Sequence, residues 1–416
     1  MKSAKSGKAA DKKARKVTII DAAALAATTK HHPGRTGKGR TFSADPTPPG
    51  FQTIVDPDKN PQLPFRPLPP PTGLPPFRLS LDSVLSADAM DTINNSGMLV
   101  FHSVGDTGGV NTPSQIENVA DYMLKDFGSS DITTHPSFFY HLGDVVYYDG
   151  ETPNYYPEFY EPYINYPAPI FAIPGNHDGD VDETYPEPSW SAFVRNFCSQ
   201  APVITPEAKD APRHAMTQPN IYWTLETPLA TFIGLASNCP EGGQLSQAQI
   251  DWFQSELESA ALNKALILAV HHPIYSAYGP KPGSQHLYSF LNKACKKAKG
   301  RTPDLVLTGH VHNYQRFTGT LAGKDVPFIV AGAGGYNPAL HVLSKAFHKA
   351  KLPIAMKGSS GTLESFCDSQ HGYLKITVTE SEMVVEYFAV PDPSAPATKP
   401  LTAFDTLSIP LGVGHG

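Results

Sequence analysis

Five times in this chain an apolar run stops at a residue able to hold a metal ion, and those five stops constrain the fold more than any other feature. MLVFHSV runs to Gly105 and delivers Asp106 in GDTG; SFFYHL runs to Gly143 and delivers Asp144 in GDVVY. PIFAIP runs to Gly175 and delivers Asn176 in GNHD, ALILAV delivers His271 in VHHP, and DLVLT runs to Gly309 and delivers His310 and His312 in GHVH. Short β-branched and aromatic runs ended by glycine read as buried strands closed by sharp turns. In open α/β sheets, side chains from neighbouring strands converge at the carboxyl ends. Five such ends therefore predict one large α/β domain with its site along them.

Composition narrows the class. The 416 residues carry a net charge of −6, divided as +9 over the first 40 residues and −15 over the rest. An acidic body argues against a specific nucleic-acid face, and the basic arm, poor in large apolar residues, reads as a disordered tail over 1–45. No stretch approaches the roughly 20 apolar residues of a membrane span. Asp21 interrupts the short apolar run after Lys12–Lys16, and no twin-arginine pair is present, so the expected location is cytoplasmic. Cys198, Cys239, Cys295 and Cys367 are widely spaced without a CxxC pattern, which excludes a zinc knuckle or redox pair and predicts mostly buried thiols, with one disulfide as the alternative for an exported chain. The sequence does not indicate an oligomeric state.

Residues 46–78 form a proline-rich stretch, with 12 prolines between Pro46 and Pro76, expected to be an extended strap. Its scattered apolar residues Phe51, Ile54, Leu63, Phe65, Leu68, Leu74 and Phe77 predict that it packs on the catalytic domain, set at 79–390, with a proline-rich segment 391–416 after it. Helices are predicted from Thr112-Pro113 to Phe127, from a Ser246–Gln249 capping box to Ala260, and over Leu287–Lys299 closed by Gly300. Strands are predicted at Tyr222–Leu225, Leu229–Ala236 and Phe328–Ala331, with a hairpin of Tyr373–Thr379 and Met383–Phe388.

A phosphate ester resists attack because its anionic oxygens repel a nucleophile. Two cations about 3.5–4 Å apart neutralise those oxygens and acidify a water between them. Holding them so close takes a bridging carboxylate, and oxygen donors mixed with imidazoles suit iron, manganese or zinc better than magnesium.

In GDTG, GDVVY, GNHD, VHHP and GHVHNYQR, in that order, the chain resembles the calcineurin-like metallophosphoesterases and, within them, the purple acid phosphatases, over about residues 98–335. The tyrosine of GDVVY carries the narrower likeness. The resemblance implies a four-layer α/β/β/α sandwich of two mixed sheets flanked by helices. It implies that Asp106, Tyr147 and His312 hold a first metal, Fe(III), and that Asn176, His271 and His310 hold a second, Zn, Mn or Fe(II), with Asp144 bridging. A metal-bound hydroxide would then attack phosphorus in line while His177 assists the leaving group. Tyr148, adjacent to Tyr147, is the competing tyrosine, and His272 is a candidate to fix the ligand imidazoles. The purple enzymes carry further histidines nine or ten residues after the ligand histidine, where this chain has Pro280 and Lys281. Either His286 or Lys281 reaches the site, or His177 works alone. Arg316 is either a phosphate clamp or an ion-pair partner. The glycines 331–335 let the backbone pass close to the ligands or form an anion nest, and Tyr336, Asn337 and His341 to His348 are candidates for the cleft wall.

The expected activity is hydrolysis of small phosphate monoesters. The alternatives are a phosphodiesterase acting on cyclic nucleotides or glycerophosphodiesters with the same centre, decided by loops 211–219 and 275–285, and a non-catalytic metal- or phosphoprotein-binding module.

Overall fold

A computed structural model of the chain describes residues 69–109, 113–147, 150–179, 190–237, 243–336, 339–356, 359–394 and 401–412. The chain divides into Met1–Lys38 and Gly39–Gly416, and the first unit lies outside the described residues, as do the rest of the expected basic tail and positions 46–68 of the strap.

The described strands form two sheets. The larger comprises β1 (Arg78–Ser80), β5 (Trp223–Glu226), β6 (Ala230–Leu235), β7 (Ala265–Val270), β8 (Leu305–Thr308), β9 (Tyr314–Leu321), β10 (Lys324–Ala331), β11 (Ile354–Ala355) and β12 (Thr362–Cys367), in the order β1-β5-β6-β7-β8-β10-β9-β12-β11. The smaller comprises β2 (Leu99–Val104), β3 (Phe138–His141), β4 (Ile170–Ala172), β13 (Gly372–Val378), β14 (Glu382–Ala389) and β15 (Asp405–Pro410), in the order β15-β14-β13-β2-β3-β4. Both are mixed. The five apolar runs become β2, β3, β4, β7 and β8, which lie in the parallel parts of the sheets. Parallel strands are covered on both faces, which is why these runs are continuously apolar instead of alternating.

Alternation survives in what each face touches. Phe101, Phe138, Phe171, Phe232, Ile267 and Leu305 meet between the two sheets, with the Phe101 ring 5.2 Å from Phe138 and 5.0 Å from Phe232. Leu266, Leu268 and Val306 face outward onto helices α4 (Gln247–Ser259) and α5 (Gln285–Lys297) through Phe253, Leu257, Leu287 and Leu291. On the smaller sheet, Val104, Phe139 and Ala172 face α2 (Pro113–Lys125) and α3 (Ser191–Phe197) through Ile116, Val119, Phe193 and Phe197. Two mixed sheets between helices is the expected architecture. Two shorter contributions come from α1 (Ala87–Ser96), whose Ile93 joins the core between the sheets, and α6 (Lys345–Lys349), whose Phe347 packs against the outer cluster of the larger sheet.

Several boundaries move for physical reasons. Ser246 caps α4 as predicted, its hydroxyl accepting from Gln249 N at 3.2 Å. The Gln249 side chain, however, pairs with both backbone groups of Ala236, a buried partner that outcompetes the reciprocal capping bond. The third helix begins at Gln285, two residues before the prediction, because Ser284 accepts from Leu287 N. The strap's described end meets the domain: Thr72 and Gly73 donate to Pro219 O, Trp252 Nε1 donates to Pro76 O, and β1 pairs in parallel with β5. Phe77 packs edge-on against Tyr222, whereas Leu74 is 86% exposed and adds nothing to that packing. The segment after 390 also contributes more than expected, since β15 adds an edge strand to β14. Cys198, Cys295 and Cys367 are buried free thiols; Cys239 lies outside the described residues. Among the described residues no helix is long and apolar enough to cross a membrane.

Candidate metal centre

The turns after β2 and β3 are built around left-handed backbone at aspartate, with φ of 57° at Asp106 and 52° at Asp144, a conformation that aspartate tolerates better than most side chains. Asp106 N donates to Gly143 O, and Thr107 N to Asp144 O, lacing the two turns together. The turn after β4 comes so close that a Cβ on Gly175 would stand 2.0 Å from Asp144 Oδ1; glycine is required there. Asp178 organises all of this. Its carboxylate accepts Val145 N, Val146 N and Gly175 N at 2.9, 3.2 and 2.8 Å, joining the loop after β3 to that after β4.

From the larger sheet come the imidazoles. His271 Nδ1 donates to Leu142 O at 2.8 Å, which fixes its tautomer and turns Nε2 toward Asp144. His310, itself left-handed at φ 68°, donates its backbone N–H to Asp106 Oδ2 at 2.8 Å. Beneath these residues the glycine-rich turn passes closely, for a Cβ on Gly332 would lie 2.7 Å from Asp106 Oδ2. That is the close-approach role expected of residues 331–335.

These constraints bring the predicted side chains together. Tyr147 Oη lies 3.3 Å from Asp106 Oδ1, 3.1 Å from Asp144 Oδ2 and 3.5 Å from His312 Nε2, and His312 Nε2 lies 3.4 Å from Asp106 Oδ1. Around the other Asp144 neighbours, His271 Nε2 stands 3.2 Å from Oδ2, and His310 Nδ1 stands 3.0 Å from Asn176 Oδ1. Asp144, His271 and His310 each turn a donor atom into a sphere narrower than 4.8 Å. Bonds of ~2.0–2.2 Å to one ion place neighbouring ligand atoms roughly 3.0–3.5 Å apart, so the spacings fit coordination shells. The contact of His271 Nε2 with Asp144 is out of line for a hydrogen bond, whereas a shared ion would take both atoms as ligands.

The electrostatics point the same way. Burial raises the Asp106 carboxyl to about 7, against His271 and with help from Asp144. Burial also works against ionised Asp144, but His271 and His177 outweigh it and hold this carboxyl well below the usual range. Burial lowers the basicity of His271, and Asp144 reverses the effect, lifting it to about 9. Burial and then both carboxylates push the Tyr147 phenol well above its ordinary value. A buried cluster that draws a proton onto His271 to offset its carboxylates is one that a cation would stabilise further.

The other candidates separate. His177 is buried, its backbone N donates to Asp144 Oδ1 at 2.9 Å, and its ring is 4.5 Å from that of Tyr147. His272 bonds Ser237 Oγ through Nδ1 and packs 4.5 Å from the His310 ring. Lys281 Nζ reaches His310 O at 3.3 Å. His286 is half-buried in the first turn of α5, apart from these contacts. Arg316 forms a two-pronged ion pair with Asp405 at 2.7 and 3.0 Å, so the structure gives it the ion-pair role instead of the clamp. Tyr148 and Asn337 lie outside the described residues. Tyr336 stacks on Tyr147 at 3.8 Å.

Two contributors go beyond the sequence reading, which gave Asp178 no role and placed His341 only in the cleft wall. Asp178 was visible only as the last letter of GNHD. His341 accepts from His312 N through Nδ1, donates its own N to His312 O, and stacks on the His312 ring at 4.1 Å. Nothing in its local sequence signals that pairing.

The sequence profile of calcineurin-like phosphoesterases matches residues 101–314, half of the chain. Among solved structures, the purple acid phosphatase PPD1 from yellow lupin (Lupinus luteus) seeds superposes with a TM-score of 0.53 at 17% identity, over 75% of this chain and 54% of that one. The chain thus spans about half the length of the lupin protein. GAP50, the anchor in the inner membrane complex of Plasmodium, superposes with a TM-score of 0.50 at 19% identity, over 75% of this chain and 89% of that one. Both likenesses concern the fold. No curated protein sequence matches significantly. With that profile matched across half its length, the chain belongs to the calcineurin-like phosphoesterase family.

Proposed function

We propose that this protein hydrolyses small phosphate monoesters at a dinuclear centre in which Asp106, Tyr147 and His312 hold Fe(III), Asn176, His271 and His310 hold Zn, Mn or Fe(II), and Asp144 serves both. The supporting observation is the Tyr147 phenol, buried within 3.5 Å of Asp106, Asp144 and His312. A phenolate is a hard, charged donor that favours a trivalent ion. Two bound cations would supply Lewis acidity toward the phosphoryl oxygens and acidify a water.

The chain's own residues supply the rest. Asp106 and Asp144 bring anionic charge that balances the cations, and burial keeps that charge from being screened. The bond from His271 to Leu142 O holds the imidazole at one angle and in one tautomer. His177 hangs from the Asp144 carboxylate by its backbone, which places an imidazole at the rim with a proton for the leaving oxygen.

Tyr147→Phe tests the assignment. Protein purified with iron available should absorb in the visible from tyrosinate-to-iron charge transfer, and the substitution should bleach it. It should also lower turnover of 4-nitrophenyl phosphate. A colourless wild type holding zinc or manganese at both positions would remove the iron assignment. Faster hydrolysis of bis(4-nitrophenyl) phosphate than of the monoester would replace the monoesterase reading with the diesterase one.

A further inference from the structure

Residues 273–284 leave β7 and return beside it before α5 begins. Ser284 N closes the neck by donating to Pro273 O at 2.9 Å. Gly283 lies so tightly on the other limb that a Cβ there would fall 2.3 Å from Ile274 O. Midway, Ala277 N donates to Gln315 Oε1 at 2.7 Å, and at the tip Lys281 N donates to Tyr278 O at 3.2 Å.

That tip is tied to the metal-ligand segment twice. The Tyr278 ring stacks on His341 at 4.4 Å, and His341 stacks on His312 at 4.1 Å. Lys281 Nζ reaches His310 O at 3.3 Å. The lysine is therefore a half-buried cation on a braced loop.

A fixed cation beside a cation-binding site works against metal loading. The placement makes sense when an anion richer in charge than the bound cations alone can neutralise enters the site. A phosphate monoester dianion meets that need better than a diester, which carries a single negative charge on its phosphoryl oxygens. We infer that Lys281 is a specificity residue whose ammonium engages the phosphoryl oxygens of a monoester and biases the centre against diesters. This inference rests on the phosphohydrolase reading above and names its substrate class.

The test uses the metal-loaded full chain and the variants Lys281→Met, which keeps length without charge, and Lys281→Arg, which restores charge. Three readouts are taken: kcat/KM for 4-nitrophenyl phosphate and bis(4-nitrophenyl) phosphate, inhibition by inorganic phosphate, and metal content. A hydrogen bond to a charged group corresponds to roughly ten- to a hundredfold in binding. Lys281→Met should lower the monoester-to-diester ratio of kcat/KM by about that factor and weaken phosphate inhibition in parallel, with metal content retained. Lys281→Arg should recover much of both. An equal loss on both esters, an unchanged ratio, or loss of metal from Lys281→Met would overturn the inference while leaving the hydrolase reading intact. A metal-loaded wild type inactive on both esters would sink that reading first, and this one with it.

Discussion

The six-stranded sheet brings the proposed oxygen donors, Asp106, Asp144, Tyr147 and Asn176, to the candidate centre from beyond the ends of β2, β3 and β4. The nine-stranded sheet gives it imidazoles, His271, His310 and His312, from the ends of β7 and β8. The two arms are held differently. The oxygen arm is woven from backbone hydrogen bonds that end on buried carboxylates, with Asp178 alone accepting three. The imidazole arm depends on side-chain anchors, His271 Nδ1 to Leu142 O and His341 Nδ1 to His312 N, and on the reach of His310 N across the seam to Asp106. The oxygen arm is thus preorganised and charge-rich, and the imidazole arm closes it. Asp144 belongs to both, meeting Tyr147 on one side and His271 on the other.

The sharpest way to break this contrast is to compare a residue shared by the arms with one belonging to a single arm. Asp144→Asn keeps the volume and removes the shared charge, so both ions should be lost and kcat/KM should fall by roughly 10²–10³-fold or more. His271→Ala should leave one ion per chain. Elemental analysis decides, and equal metal content in the two variants would mean that Asp144 is not shared. A smaller effect is expected at Asp178, where an amide must point an N–H₂ at backbone donors. Burial and the Asp144 charge lift this carboxyl to about 7, while the N–H groups of Gly175 and Val146 oppose them. Asp178→Asn should cost about 1–3 kcal/mol of stability and weaken metal binding by roughly 10–100-fold. A variant with wild-type melting and wild-type metal titration would show that the oxygen arm does not need this brace.

The same contrast explains what could be read from the sequence. Asp106, Asp144, Asn176, His271 and His310 each sit one or two residues beyond an apolar run, and a local rule about strand ends locates them without knowledge of the sheets. What local rules missed depends on partners far along the chain. The Arg316 and Asp405 pair joins positions 89 apart, and β15 is an edge strand whose half-exposed alternation between prolines looked like a tail. Gln249 obeyed the capping pattern in type and broke it in partner, because Ala236 offered two buried backbone groups. Lys281 and His286 lay equally open in the sequence. The contact of Lys281 Nζ with His310 O rests on a neck closed by Ser284 and Gly283, and such closure leaves no periodic trace.

The last prediction weighs the arms by their protons. At about pH 8 the metal-free centre holds one ionisable proton on each: on His271, whose basicity reaches about 9, and on Tyr147, whose phenol lies well above its ordinary value. Asp106, at about 7, is largely ionised there, and burial keeps His310 neutral. Ligands must be deprotonated to bind a metal. Filling the site at that pH should therefore release about two protons per chain, and about one in Tyr147→Phe, read with an indicator dye in weak buffer. The sign for stability follows. His271 is raised above its unfolded value of roughly 6.5, so its contribution to the metal-free fold is complete below that pH and is lost as pH climbs through about 9. Asp106 adds the same sign at lower pH. The metal-free protein should melt at lower temperature near pH 9 than near pH 7, and the loaded protein should not show that drop. Proton release unchanged by Tyr147→Phe would mean that the phenol stays protonated and that the oxygen arm supplies one anionic donor fewer than its geometry offers.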